Sequence, residues 1–135
     1  MKFSLNFGFF LLTFQKSLIF VNKFSQTMII YSVTISVDET VEEEFVSWMR
    51  KIHIPDVMNT GRFISCRFSK LISHKEEGSV SYSAQYTCHS AYDLNDYKMN
   101  YAKELQKKSL EKFADSMHAF RSELEVIEDY YSVLS

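Results

Sequence analysis

Hydrophobic and polar residues alternate along two segments of the chain, and a period of two is typical of β-strands that bury one face. In the first segment the apolar positions are Ile29, Tyr31, Val33, Ile35 and Val37. In the second they are Val80, Tyr82, Ala84, Tyr86 and Cys88. Serine, threonine and glutamine fill most of the positions between them, so each segment is predicted to be a strand with one buried face.

Two other segments show helical spacing. Thr40 and Glu43 have the spacing of a capping box, and the apolar residues that follow recur at steps of three or four: Val41, Phe45, Trp48 and Ile52. Pro55 is expected to interrupt this helix, because proline disfavours helical geometry at the residue before it. Ser90, with Asp93 three residues later, is expected to cap a second helix with the stripe Leu94, Tyr97, Tyr101 and Leu105.

Two further strands complete the predicted domain, at Phe63–Ile72 and Phe120–Val126. In the last strand Phe120, Leu124 and Val126 are expected to face the core. The order is βαββαβ, which predicts an α+β domain with a four-stranded antiparallel sheet and both helices on one face. The opposite face is then predicted to be polar, with Ser32, Thr34, Arg67, Ser81, Ser83, Gln85, Arg121 and Glu123.

Residues 1–27 differ from the remainder, so we place the domain at residues 28–128 and a loose tail at 129–135. The first 27 residues hold seven of the twelve phenylalanines and three lysines, with no acidic residue. Their longest uncharged run, Phe3–Gln15, is too short to cross a bilayer, which takes about 20 residues. Three interpretations stay open: a translation start at Met28, a signal-like or membrane-surface segment, and a structural element.

Charge and cysteine content narrow the function classes. The net charge is −2 although residues 1–27 are positive, so the domain is acidic, and no nucleic-acid partner is expected. Cys66 and Cys88 fit reduced thiols of a cytoplasmic protein. A disulfide, a reactive thiol, and export directed by residues 1–27 are the alternatives. The histidines lack zinc spacing and the glycines are isolated, so we expect neither a metal nor a cofactor.

The segment Trp48–Phe63, which reads WMRKIHIPDVMNTGRF, resembles a family of small bacterial proteins catalogued as a domain of unknown function. The segments MIIY from Met28, YSAQY from Tyr82 and HAFR from His118 are similar to that family too, and the likeness spans residues 28–127. This resemblance implies a ferredoxin-like fold that pairs as a dimeric α/β barrel. It implies no particular activity.

His53 is the residue that most suggests chemistry, because it precedes Pro55 at the predicted end of the first helix. A histidine at that place either caps helix carbonyls or serves a ligand. The tyrosines predicted to lie between sheet and helices are Tyr31, Tyr82, Tyr86, Tyr97 and Tyr101. Each buried phenol needs a hydrogen-bond partner, so they either form a core whose hydroxyls reach the rim or line a pocket.

Two functions follow from these residues. The first is binding of a small hydrophobic or aromatic compound, with or without cofactor-independent catalysis. There His53 would act as acid, base or hydrogen-bond donor, and Trp48 and the tyrosines would form the walls. The alternative is a non-catalytic module that dimerises or docks to a protein. A homodimer is expected, with the polar sheet faces meeting and Arg67 and Arg121 pairing with Glu123 and Glu125. A cavity at His53 would favour the first function, and a filled core the second.

Overall fold

The computed structural model describes residues 27–133 and consists of one four-stranded sheet and a layer of helices. The strands are β1 (Ile29–Asp38), β2 (Ser65–Lys70), β3 (Ser79–Cys88) and β4 (Met117–Glu125). They are antiparallel and lie in the order β2-β3-β1-β4. The helices are α1 (Glu42–Trp48), α2 (Ile54–Met58), α3 (Ala91–Asn100) and α4 (Ala102–Phe113). The predicted βαββαβ order and antiparallel sheet are confirmed.

The core lies between the sheet and the helices. In β1 the alternating residues from Tyr31 to Val37 are buried, and in β3 the same holds from Tyr82 to Cys88, as their period of two predicts. Tyr31 is the pairing partner of Tyr86, so both side chains lie on the helix-facing side of the sheet. Phe45 from α1 is fully buried against Phe68, Tyr82 and Phe113.

The prediction for the faces of β4 was wrong. Val33 pairs with Arg121 and Tyr31 pairs with Glu123, so these two charged residues lie on the helix-facing side. Phe120 and Leu124 lie on the opposite face, where they are 69% and 44% exposed. β4 is an edge strand, and its hydrogen-bond register with β1 decides which of its residues face the helices. That register turns its apolar residues outward, against the pattern in the sequence. Glu125 also lies on the helix-facing side. Of the charged residues that were expected to pair between two sheets, Arg67 lies on the outer face as predicted, and Arg121, Glu123 and Glu125 do not.

The first helical segment differs from its prediction at both ends. Thr40 makes no capping hydrogen bond, because the chain enters α1 through a short 3₁₀ turn, Glu39–Val41. Pro55 does not break the helix. A π-helical turn, Met49–His53, joins α1 to α2, and the Ile54 N–H bonds to the Met49 carbonyl five residues back. Proline removes one backbone donor and crowds the preceding turn, and the wider π turn accommodates it.

The second helical segment begins as predicted. The Ser90 hydroxyl accepts a hydrogen bond of 3.2 Å from the Asp93 N–H, which is the cap that the sequence indicated. The segment then divides at Tyr101, whose φ of −129° and ψ of −37° separate α3 from α4. The apolar stripe continues across this division, so Tyr97 and Leu105 both reach the core.

Further findings concern the two ends of the chain, the cysteines and the length of the helices. The leader predicted at residues 1–27 lies outside the described residues, apart from Thr27. From residue 126 to residue 133 the chain forms neither helix nor strand, and Tyr130 and Tyr131 are exposed. Cys66 and Cys88 are free thiols. Among the helices of residues 27–133, none combines the length and the apolar character that a membrane span requires.

Candidate functional site

A small cavity of about 30 Å³ lies between the centre of the sheet and the helices. Its polar lining consists of Tyr31, His53, Tyr86, Tyr97, Gln106, Ser109 and Arg121. Its apolar lining consists of Val33, Ile35, Met49, Val57 and Ala84. A water molecule needs roughly 10–15 Å³ measured in this way, so the cavity has the size of about two waters or of one small polar group. Polar side chains from six elements therefore converge on a very small space.

The π turn places His53 at this cavity. In a regular α-helix, residues five apart point about 140° away from each other, so Trp48 and His53 would lie on different faces. The wider turn brings them onto one face, and their rings stack with centroids 4.7 Å apart and planes inclined by 26°. Trp48 thus supports the imidazole from behind, packed edge-on against Phe113, and does not itself line the cavity.

His53 is neutral at pH 7. Burial lowers its pKa to about 4, the Asp56 carboxylate opposes this shift, and the positive charges of Arg121 and Lys108 add to it. A neutral imidazole carries one N–H donor and one nitrogen acceptor. The stacked ring therefore offers the cavity a hydrogen-bonding group without a charge.

Three of the predicted tyrosines meet at the cavity around Phe63. The Phe63 ring lies 4.8 Å from that of Tyr97, 5.2 Å from that of Tyr86 and 6.3 Å from that of Tyr31. Burial raises the pKa of all three phenols, although the Arg121 guanidinium partly offsets the shift at Tyr31. All three hydroxyls are therefore protonated at neutral pH and are available as donors.

The Tyr86 hydroxyl is the unusual group of this site. It is buried, and among residues 27–133 it forms no well-aligned hydrogen bond, the Cys66 thiol offering it only a weak interaction. The Cys66 thiol is near it, and burial raises the pKa of that thiol to about 11. A neutral thiol is a weak partner, so the phenol stays unsatisfied. Leaving such a group unpaired costs roughly 1–3 kcal/mol.

Tyr82, which the sequence analysis grouped with the other tyrosines, lies elsewhere. Its hydroxyl donates a hydrogen bond of 2.6 Å to Glu42 Oε1, and Lys70 Nζ contacts the same oxygen at 2.6 Å. Burial and this carboxylate raise the pKa of Tyr82 to about 12. Its polar end is already satisfied, so the residue belongs to the β2 side of the core and not to the cavity. Tyr101 is also outside the cavity lining and lies under the Arg62 guanidinium.

Three polar residues of the cavity were not among the predicted site residues. Arg121 was assigned to the wrong face of β4. Ser109 lies in the buried stripe of α4 between Leu105 and Phe113, and a hydroxyl at a core position was the available signal. Its Oγ donates to the Leu105 carbonyl at 3.3 Å. No feature of the sequence marked Gln106 as a site residue, since a glutamine on an amphipathic helix is usually exposed to solvent.

The small cavity adjoins a wider cleft of about 500 Å³ on the surface. Tyr31, Gln106 and Arg121 belong to the linings of both. The cleft is completed by Lys98, Ala102, Lys103, Ser122 and Glu123. The two spaces together are of the size that small-molecule sites usually have, about 300–1,000 Å³. Within the described part of the chain, no three His, Cys, Asp or Glu side chains are placed to hold a metal ion.

The sequence matches the family model of the domain of unknown function DUF4286 over residues 28–127, so the chain belongs to that family. The expected membership of a family catalogued as a domain of unknown function is thereby confirmed over residues 28–127. No curated protein matches the sequence.

Solved structures show the same fold at low sequence identity. A dimeric ferredoxin-like protein from an uncultured marine organism is 8% identical, with a TM-score of 0.63, and the match covers 78% of this chain and 100% of that one. A protein from Caulobacter crescentus CB15, provisionally assigned as an antibiotic biosynthesis monooxygenase, is 18% identical, with a TM-score of 0.56 and coverages of 77% and 93%. The hydroxynitrile lyase of Passiflora edulis is 12% identical, with a TM-score of 0.53 and coverages of 76% and 97%. The fold of this chain is ferredoxin-like.

Proposed function

We propose that the domain binds a small molecule between its sheet and its helices. The observation that carries this proposal is the convergence of His53, Tyr31, Tyr86 and Tyr97 on one cavity, with the Tyr86 hydroxyl unpaired among residues 27–133. Buried polar groups in folded proteins are nearly always hydrogen-bonded. A ligand that supplies the missing partner accounts for an unpaired phenol beside a cavity.

The pKa of His53 favours binding over acid–base catalysis. A general base is most effective when its pKa lies near the working pH, whereas that of His53 is lowered to about 4. The imidazole is thus a weak base at pH 7 but a competent hydrogen-bond donor or acceptor. We assign it the role of holding the ligand.

The dimensions of the site suggest how such a ligand is placed. The inner cavity of about 30 Å³ admits one small polar group. The adjoining cleft of about 500 Å³ is large enough for a flat or hydrophobic body. A compound with a polar end and an apolar, partly aromatic body fits both spaces, and its polar end would meet the phenols and His53.

A thermal-shift screen of the full-length chain against a metabolite library tests this function. A ligand that binds the folded state raises the melting temperature in proportion to its concentration and affinity. We expect Tyr86→Phe to reduce that rise, because it removes the unpaired hydroxyl. The same substitution should stabilise the unliganded protein by about 1 kcal/mol, because an unsatisfied buried group is lost.

Tyr92→Phe provides the matched control, since Tyr92 is 85% exposed on α3 and lies away from the cavity lining. It should change neither the melting temperature nor the response to ligand. A well-folded protein that responds to no compound would contradict the proposal. So would hits whose effect is the same in wild type, Tyr86→Phe and His53→Gln.

A homodimer is the second property that we propose, and the exposed side of the sheet supports it. Phe120 and Leu124 interrupt an otherwise Ser- and Thr-rich face and are 69% and 44% exposed. Such residues, on one face of one strand with Ser122 between them, can meet their own copies across a two-fold axis. The similar structure from the uncultured marine organism is a dimeric ferredoxin-like protein, so a protein of this fold can form a dimer. Dimerisation and ligand binding use opposite faces of the sheet and are compatible.

A further inference from the structure

The charge of the cavity lining narrows the chemistry of the ligand, provided that the proposed small-molecule site exists. Arg121 is the one charged residue among the lining residues that the structure describes. No carboxylate of residues 27–133 lines the cavity, and the remaining polar members are the three tyrosines, His53, Gln106 and Ser109. A site with one cation and several neutral donors is complementary to an anion.

Arg121 has no counter-ion of its own in the described range. It lies at the centre of β4 opposite Val33 and forms no ion pair with a carboxylate of residues 27–133. Glu123 and Asp56 are engaged with other cations, because Lys98 pairs with Glu123 and Lys108 contacts Asp56 at 3.8 Å. The guanidinium interacts with the Tyr31 hydroxyl but with no carboxylate of residues 27–133, so its positive charge is available to an anion.

One hydroxyl of the cavity lining, that of Tyr86, is a buried donor without a well-aligned acceptor among residues 27–133. Burial raises the pKa values of Tyr31 and Tyr86, which keeps both phenols protonated. Hydrogen bonds from such groups to a charged oxygen are about twice as strong as those between neutral groups. The planar fork of arginine also matches the two oxygens of a carboxylate.

The space available sets the size of the anionic group. The cavity of about 30 Å³ has room for about two water molecules, so a planar carboxylate head group fits it more readily than a bulkier tetrahedral phosphate. The cleft beyond Arg121 adds Lys98 and Lys103 at its rim against one acidic residue, Glu123. The positive potential therefore extends from the opening to the interior.

The geometry points to a small carboxylate with a flat apolar body as the ligand of this domain. Its two oxygens bind Arg121 and the tyrosine hydroxyls at the inner cavity. Its body occupies the cleft between β4 and α4, beside Gln106. Arg121 is thus the specificity-determining residue of the site.

Titrations of the full-length protein with benzoate and with benzamide, followed by NMR at pH 7 and constant ionic strength, test this inference. The two probes share a flat ring and differ in the charge of the head group. We expect benzoate to bind at least about tenfold more tightly than benzamide, since hydrogen bonds to a charged group are stronger than those to a neutral group. Arg121→Gln should abolish the preference, and Arg121→Lys should retain part of it, because the charge remains and the fork is lost.

Arg67→Gln is the matched control, because Arg67 is exposed on β2 and pairs with Gln85 on the outer face of the sheet. It should leave both affinities unchanged. Equal affinity for the two probes, or a preference for benzoate that survives in Arg121→Gln, would overturn the inference. Library hits that bind at the cavity but are all neutral would also overturn it, and would leave the proposed function standing. If neither the probes nor any library compound binds, both proposals fail.

Discussion

Burial of His53, to which stacking on Trp48 contributes, determines the protonation state of its imidazole. The indole covers one face of the imidazole at 4.7 Å, and the cavity and the helices enclose much of the rest. Desolvation then disfavours the charged form, so the pKa falls to about 4. An unfolded chain would bind a proton on the same residue near pH 6.5.

This difference predicts a loss of stability in mild acid. Between pH 6.5 and pH 4 the unfolded state binds a proton at His53 that the folded state does not, so stability is complete above that range and falls as the pH is lowered. From pH 7 to pH 5 we expect His53 to account for a loss of about 2 kcal/mol in the free energy of unfolding. Urea unfolding of wild type and His53→Gln at the two pH values measures it.

His118→Gln serves as the control, because His118 is exposed on β4. It should show the same pH dependence as the wild type, whereas His53→Gln should show a weaker one. Identical slopes for wild type and His53→Gln would mean that the imidazole is not shielded from water as the structure describes.

Two element boundaries have unusual backbone geometry. The π turn between α1 and α2 is one such place, and π turns are frequent at functional sites. The end of α4 is another. There Ala114 adopts φ 46° and ψ −125°, a region in which a Cβ atom is crowded and glycine is favoured.

Ala114→Gly is therefore expected to stabilise the protein. Residues other than glycine held in such regions cost of order 1–3 kcal/mol, part of which is offset by the greater freedom of glycine in the unfolded chain. We expect a net gain of about 1 kcal/mol in the free energy of unfolding, measured by urea denaturation. Ala91→Gly, at the exposed first position of α3, should be neutral or destabilising. A loss of stability in Ala114→Gly would show that this backbone conformation carries no strain.

At the scale of the whole molecule, the sheet separates two surfaces with different roles. The helix-facing side holds the cavity and Arg121. The other side holds Phe120 and Leu124 within a polar strand face, and it is the surface that we propose for pairing of two copies.

Phe120→Asp tests the pairing. Two carboxylates brought together at an interface repel each other and resist desolvation, so the substitution should convert the dimer into a monomer. Light scattering at micromolar concentration should give about twice the 15.9 kDa chain mass for the wild type and the single mass for the variant. Tyr92→Asp, at an aromatic residue 85% exposed on the helical layer, should remain dimeric. A wild-type protein of single-chain mass would contradict the proposal.

Much of the fold followed from local patterns, because each of those signals is contained within one element. The alternation of apolar and polar residues in β1 and β3 identified the buried face of these two strands. Both strands are central, so their register is set by hydrogen bonds to a neighbour on each side. The Ser90 cap marked the start of α3. Four residues that the sequence singled out, His53, Tyr31, Tyr86 and Tyr97, line the cavity, and a histidine before Pro55 and tyrosines on apolar faces are visible without a structure.

Only the tertiary structure decided which face of β4 is buried and how the chain passes Pro55. The apolar residues of β4 favoured the other frame, and the hydrogen bonds to β1 selected the one that turns Arg121 inward and Phe120 outward. The π turn was equally invisible, because it results from packing of Trp48 and Met49 on the core together with the geometry of proline. The cavity joins residues from strands and helices far apart in the chain, and its single cation became apparent only once those elements were packed together.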